Sequence, residues 1–285
     1  MALSLAVRLR RFLVPFLGLD ERRCALCRAP FFPSGSAGGA EGTGRAGSSE
    51  TGGIGGEEQG VAASLLCAVC RLRLPRRRVG YCPHCGEPAA LEDAPLTPCA
   101  SCLQSLPPWE AFLFYGIYEG DLRESLLRGK FGGSLPALDM LGRLLAEVCA
   151  EHYAFAPKPQ LIVPVPLHTS RLRERGFNQS LELARMVGRV LDLPVRYDLL
   201  VRVRPAVPQA SLSREQRKKL VQPFAAGEGL HGRRVLLVDD VCTTGATLSC
   251  AARCLLEAGA SQVDAAAVAR TSLHSAHGAG APRRE

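Results

Sequence analysis

The chain has 285 residues, about twice a typical single domain, and carries 35 Lys and Arg against 27 Asp and Glu for a formal charge of +8. No apolar run approaches the roughly 18 to 20 uncharged residues that a membrane helix needs, so a spanning segment is not expected. The positive charge, mostly arginine, suits phosphate-bearing ligands or nucleic acid but equally describes a solvated surface, so charge alone excludes little.

The first 24 residues, "MALSLAVRLRRFLVPFLGLDERRC", have Arg8, Arg10 and Arg11 among the apolar residues and no small-residue cleavage site after them. They are expected to form a short amphipathic helix docked on the protein rather than a signal peptide. Twelve cysteines without a secretory signal point to a reducing compartment, the cytoplasm, where Cys-x-x-Cys pairs hold metal more often than they form disulfides.

Four such pairs follow: Cys24/Cys27, Cys67/Cys70, Cys82/Cys85 and Cys99/Cys102. Two pairs supply four thiolates, the tetrahedral set of a closed structural zinc site, so eight cysteines suffice for two Zn2+ ions. A redox dithiol is the competing reading. Sequential pairing, first with second and third with fourth, is expected; a cross-braced arrangement satisfies the same spacing. In "CPHCG", Pro83 and Gly86 supply the preset φ and the missing Cβ that a tight metal knuckle wants. His84 lies within the knuckle and is read as an exposed bystander. Residues 33–62, rich in Gly, Ser and Ala, cannot bury enough surface to offset their ordering entropy and are read as a flexible insertion.

The cysteine spacing stops at residue 106, where a domain boundary is placed, and aromatic and aliphatic residues begin to alternate. Asp121 and Glu124 have capping-box spacing, and Ser134 with Pro136 opens a helix whose stripe is Leu138, Leu141, Leu145 and Val148. Beyond it the pattern predicts a strand over 161–165, a helix from Asn178 to Leu191, strands over 195–203 and 235–240, a helix ended by Gly259, and a strand over 263–269. This alternation predicts an α/β fold, a parallel sheet with flanking helices. Residues 273–285 are expected to be a flexible basic tail. Cys149, Cys250 and Cys254 read as helix-packing thiols.

The chemistry concentrates in "VLLVDDVCTTGATL", residues 235–248. A buried aliphatic strand ends in Asp239 and Asp240, at the edge where open α/β sheets bind ligands. Thr243, Thr244, Gly245, Ala246 and Thr247 then form a small-residue turn into a helix, whose amides and dipole make a phosphate cradle. Like charge keeps the carboxylates from holding that phosphate; they suit hydroxyl groups or hydrated Mg2+. A sugar phosphate with vicinal hydroxyls and a magnesium-bound diphosphate, namely 5-phosphoribosyl 1-diphosphate, satisfies both halves. The turn lacks the lysine of a P-loop and is no Gly-x-Gly-x-x-Gly, which disfavours nucleotide hydrolysis and dinucleotide binding. Cys242, beside a helix N-terminus, reads either as a thiol of lowered pKa or as a small filler.

This stretch resembles the signature of type I phosphoribosyltransferases. Together with "VPVPLH", "RLRERGFNQS", "RVRPAVPQASLSREQR" and the cysteine module, the chain is similar to the ComF competence-protein family (ComFC-like or GntX-like). The resemblance implies a double zinc ribbon over residues 1–106 and a type I phosphoribosyltransferase fold over 107–272. It implies a role in handling transforming single-stranded DNA, with a DNA-translocation helicase as a candidate partner. It gives Asp239 and Asp240 the ribose hydroxyls, residues 243–247 the 5-phosphate, and Pro166, Leu167 and His168 the diphosphate loop. Arg171, Arg173 and Arg175 are apt for diphosphate or nucleic-acid phosphate, although a solvated basic face accounts for any one of them. Lys130, in "RGKFGG", occupies the position of a family lysine. Residues 204–219 fall where these enzymes place a mobile loop that closes over the sugar, and Leu220 stands where the family carries Asn. Two functions fit: transfer of phosphoribose to an acceptor, or a non-catalytic module that senses the sugar diphosphate or binds single-stranded DNA.

Overall fold

The computed structural model describes residues 22–31, 65–203 and 223–272. The expected N-terminal helix, the 33–62 insertion, the 204–219 loop with Leu220 and the tail from 273 lie outside them. Contacts divide the chain into two units, Met1–Arg73 and Leu74–Glu285.

In the first unit, β1 (Arg22–Arg23) pairs antiparallel with β2 (Pro30–Phe31), and α1 (Ala68–Arg73) buries Cys70. The turn between the strands closes through Cys24 N–H to Ala29 O (2.9 Å) and Arg28 N–H to Cys24 O (2.9 Å). Cys24 is thereby fixed at the turn.

The second unit begins with a cysteine-bearing turn and α2 (Ala100–Gln104). There follow β3 (Phe112–Ile117), α3 (Gly120–Phe131), α4 (Leu135–Tyr153), β4 (Leu161–Pro164), α5 (Thr169–Arg175) and α6 (Gln179–Leu191). The remaining elements are β5 (Leu200–Arg202), β6 (Phe224–Ala226), β7 (Arg234–Cys242), α7 (Ala246–Glu257) and β8 (Gln262–Arg270). A four-stranded sheet has the order β3-β8-β7-β4 with every neighbouring pair parallel, so its central strands must be buried on both faces. Helices α4 and α6 pack together against strands of the sheet, while α7 packs on β7 and β8. Val235 and Leu237 of β7 join Leu248, Ala251 and Leu255 of α7 in one apolar cluster. The predicted stripe Leu138, Leu141, Leu145 and Val148 is buried, and Ser134 is the α4 N-cap.

Two local expectations are corrected. Residues 195–203 do not form one strand: Val195 makes a single bridge to Ile162, and only Leu200–Arg202 pairs, antiparallel to β6, outside the main sheet. Past that bridge the Arg196 N–H still donates to Ile162 O (2.8 Å), and the Arg196 side chain binds Asp198 two residues on through Nε (2.8 Å) and Nη2 (2.7 Å). The other concerns α3, which starts at Gly120 with Glu119 as N-cap. Asp121 therefore lies in the first turn, where its charge faces the positive end of the helix dipole, rather than at the cap.

Candidate active site and cysteine centres

β7 passes through the centre of the sheet and delivers Asp239 and Asp240 at its carboxyl end. The Asp239 Oδ1 accepts from the Ser180 hydroxyl on α6 (2.9 Å) and from the Asp240 N–H (2.9 Å). Asp240 turns the other way: its Oδ1 accepts from Val241 N–H (2.8 Å), and its Oδ2 lies 3.4 Å from Lys130 Nζ in the last turn of α3. Burial, then the neighbouring Asp240 charge, pushes the Asp239 carboxyl up to about 7, against the Ser180 hydroxyl, the Asp240 amide and Lys130. Lys130 thus stands on the Asp240 side of the carboxylate pair, and Ser180 on the Asp239 side.

Beyond the aspartates the chain turns through Thr243, Thr244 and Gly245 into α7. Gly245, the helix N-cap, has φ 76°, and a Cβ there would lie 3.4 Å from Trp109 Cη2. Only glycine takes that conformation without strain. Thr244 Oγ1 accepts from Ala246 N–H (3.3 Å), closing the turn on itself, while Thr243 and Thr244 are exposed and Thr247 is half-buried. Cys242 is buried in the apolar cluster, and burial pushes its thiol up to about 11. The filler reading holds for Cys242, and the lowered-pKa reading does not, because desolvation outweighs the nearby Arg270 charge. Cys149 and Cys254 are buried and Cys250 half-buried, as packing thiols should be.

The neighbouring strand brings the other loop alongside. Val165 N–H donates to Val238 O (2.8 Å), extending the β4–β7 pairing up to half-buried Pro166, Leu167 and His168. His168 caps α5: its Nδ1 accepts from Ser170 N–H (3.3 Å) and lies 2.8 Å from Ser170 Oγ. Asn178 caps α6 and donates to Val165 O (3.0 Å), tying the loop's two ends together. Arg175 lies over the Phe131 ring (5.5 Å) and reaches Gln179 Oε1 (3.5 Å), whose side chain donates in turn to Lys130 O (3.4 Å). Arg171 and Arg173 project from α5 and are exposed. Burial pulls the Arg202 guanidinium below its ordinary range, the Asp239 carboxylate opposing and Arg171 reinforcing, which sets Arg202 within electrostatic range of Asp239 and Arg171 within range of Arg202.

The structure thus links Asp239 to Asp240 and Asp240 to Lys130, and sets the turn 243–247 and the loop 166–168 on adjacent strands. It adds Ser180, Gln179, Arg202 and Arg270, which sequence reasoning passed over. "FNQS" carried Ser180 in plain sight, two residues after a cap; nothing local marked its partner.

The eight cysteines form two groups, Cys24/Cys27/Cys67/Cys70 and Cys82/Cys85/Cys99/Cys102, with the ligand sulfurs of each within 4.8 Å of one another. The grouping is the sequential one. Cys27 and Cys67 Sγ are 3.8 Å apart, and Cys85 and Cys99 Sγ 3.7 Å. A tetrahedron with Zn–S bonds of about 2.3 Å has edges near 3.8 Å, whereas a disulfide needs about 2.05 Å. Both sets fit zinc. His84 is in neither group; its carbonyl accepts from Trp109 Nε1 (2.7 Å). Gly86 (φ 71°) completes the second knuckle, and a Cβ there would sit 2.6 Å from Phe112 Cε1.

The family described as "Phosphoribosyl transferase domain" matches residues 178–282. The DNA utilization protein YhgH of Salmonella typhi is 35% identical over 72% of this chain and 90% of its own length. Competence protein F of Haemophilus influenzae is 31% identical over 74% of this chain and 92% of its own. The chain belongs to the ComF family. Competence protein ComFC of Bacillus subtilis is a more distant relative, 27% identical over 68% of this chain and 79% of its own length. Within this ComF-family chain the phosphoribosyltransferase match takes in Ser180, both aspartates, the turn and Arg270, but neither Lys130 nor the cysteine sets. No helix among the described residues is long and apolar enough to cross a membrane.

Proposed function

We propose that this chain binds 5-phosphoribosyl 1-diphosphate with Mg2+ at the end of β7 and acts in the handling of transforming DNA. One observation supports this most: a carboxylate pair, held by Ser180 and Lys130, adjoins a glycine-capped turn at a helix N-terminus. The turn's amides receive the 5-phosphate. Asp239 and Asp240 accept from the ribose hydroxyls, and residues 166–168 with Arg171 and Arg175 receive the diphosphate. Mg2+, when bound, neutralises the diphosphate as a leaving group. Transfer would then be substitution at the anomeric carbon, with orientation and charge compensation doing the work.

In this reading the two cysteine sets hold structural zinc and the protein is cytoplasmic. By motif the chain is a double zinc ribbon over 1–106 and a phosphoribosyltransferase-like domain over 107–272; by packing, the second cysteine set belongs with the sheet. The names of the relatives support a role with DNA, and the exposed Arg171 and Arg173 offer phosphate contacts. Single-stranded DNA and a translocation helicase are the proposed macromolecular partners.

Titration calorimetry with phosphoribosyl diphosphate and Mg2+ tests the donor: saturable binding, lost in the Asp239→Asn/Asp240→Asn variant, is expected. Diphosphate release with candidate bases or amines tests transfer. Saturable binding without release for any acceptor would leave a sensor rather than an enzyme. DNA binding driven by Arg171 and Arg173 must weaken steeply with salt; an affinity indifferent to salt rejects it.

A further inference from the structure

Arg270, the last residue of β8, is 2% exposed, and its guanidinium is engaged on every side. Nε donates to Cys85 O (2.9 Å), and Nη2 to Glu87 Oε2 (2.7 Å), a carboxylate that is itself buried. Nη1 donates to the carbonyls of Cys242 (3.2 Å), Thr243 and Thr271 (2.6 Å). Two acceptors belong to the second cysteine knuckle or its flank, and two to the chain leaving β7 for the turn. Trp109, the chain's only tryptophan, spans the same gap: its Nε1 holds His84 O, and its ring edge lies against Gly245. A planar fork can hold several carbonyls at once, whereas an ammonium is a point charge.

A trans peptide is planar, with its C=O and N–H antiparallel. Fixing the carbonyls of Cys242 and Thr243 on Arg270 therefore aims the amides of Thr243 and Thr244 away from it. The Cys85 carbonyl, in turn, stays in place only while its knuckle is closed, and a knuckle of four thiols closes on metal.

We infer that Arg270 is a positioning residue that sets the 243–247 turn from the second cysteine set, so that metal at Cys82, Cys85, Cys99 and Cys102 is thermodynamically linked to anion binding at the turn. The inference rests on the reading of that turn as a phosphate cradle. Linkage is reciprocal: the bound anion strengthens zinc binding by the factor by which zinc strengthens anion binding.

The test uses the full zinc-loaded chain, wild type beside Arg270→Lys and the double variant Arg270→Met/Glu87→Gln, which leaves neither buried charge unpaired. Equilibrium competition with a chromophoric chelator is run with and without Mg2+ and phosphoribosyl diphosphate. In wild type the ligand should raise the apparent affinity of one of the two zinc equivalents at least fivefold. Both variants should still bind two zinc ions and melt cooperatively, but lose the ligand effect. A wild-type zinc affinity indifferent to bound ligand, or variants that keep the effect, would overturn the inference. Amide hydrogen exchange separates this failure from that of the ligand assignment. If wild type binds no sugar diphosphate, exchange at the amides of residues 243–247 must still quicken on zinc removal, and the double variant must exchange at the fast rate with or without zinc; exchange in wild type unmoved by zinc removal, or a zinc effect that survives in the double variant, overturns the linkage by itself.

Discussion

Replacing Asp239 by Asn should stabilise the protein at neutral and alkaline pH while abolishing ligand binding. The folded carboxyl titrates at about 7, against about 3.9 in an unfolded chain, so the folded state holds a proton that the unfolded state has released between those values. Stability contributed by this group is therefore fully present below about pH 4 and is lost as pH rises through 7. Three units correspond to about 4 kcal/mol at about 1.4 kcal/mol per unit, an upper figure that water entry at the site will reduce. Asn keeps an oxygen where Ser180 Oγ and the Asp240 N–H donate, both at 2.9 Å, so the substitution removes charge without orphaning either donor. Urea unfolding at intervals from pH 4 to 9 should give wild-type and Asp239→Asn curves that meet near pH 4 and separate by about 1 to 4 kcal/mol at pH 8, the variant above. A variant less stable than wild type at pH 8, or a difference that does not vary with pH, would refute the argument that desolvation and Asp240 raise this carboxyl.

Ser180→Ala removes the hydroxyl that favours ionised Asp239 and should cost about 1.5 to 3 kcal/mol at pH 8, where the acceptor is charged, but about 1 kcal/mol at pH 5, as read by the same unfolding series. Gly245→Ala forces a side chain into a left-handed conformation at about 1 to 2 kcal/mol and presses on Trp109; a melting point several degrees lower and ligand binding at least tenfold weaker by calorimetry are expected. Tyr153→Phe strips the buried Asp264 of a 2.8 Å donor at the opposite end of β8 and should lower unfolding free energy by about 1.5 to 3 kcal/mol with ligand affinity unchanged. Because Asp239 is close to half-protonated at pH 7, ligand binding that draws on the carboxylate should release up to about half a proton there and none at pH 9, measured by calorimetry in buffers of differing ionisation enthalpy.

What could be read without a structure was what lies close together in the chain. The aliphatic run, the aspartates and the Thr/Gly turn are consecutive, so strand, carboxylate edge and helix start followed from one stretch. The cysteine spacing likewise carried the two ligand sets. Hidden from view were pairings made by topology. Ser180 meets Asp239 across 59 positions, and Arg270 meets Glu87 across 183. The last strand was expected over 263–269, one residue short of Arg270, which ends it in the structure. Residues 195–203 misled because their apolar content reads as one strand, whereas the two ends pair with different partners, Val195 with Ile162 of β4 and Leu200–Arg202 with β6.

A site of this kind is costly to hold without its ligand. Asp240 lies 3.4 Å from Lys130, while the adjoining buried Asp239 takes up a proton near neutrality. The glycine-capped turn is likewise held in one arrangement, with the carbonyls of Cys242 and Thr243 on Arg270. Such a turn relaxes unless something rigid holds its carbonyl side. Apolar packing cannot do this, because carbonyls need donors, and an ordinary helix cannot follow the bend. A buried guanidinium meets the geometry but brings a charge of its own, which Glu87 offsets from the cysteine knuckle. The knuckle therefore supplies both a fixed carbonyl, Cys85 O, and the counter-charge for the residue that braces the turn. On the proposed reading, in which the turn's outer face receives an anion, its support has to come from behind, which gives a physical reason for the second cysteine set to lie in the same folding unit as the sheet.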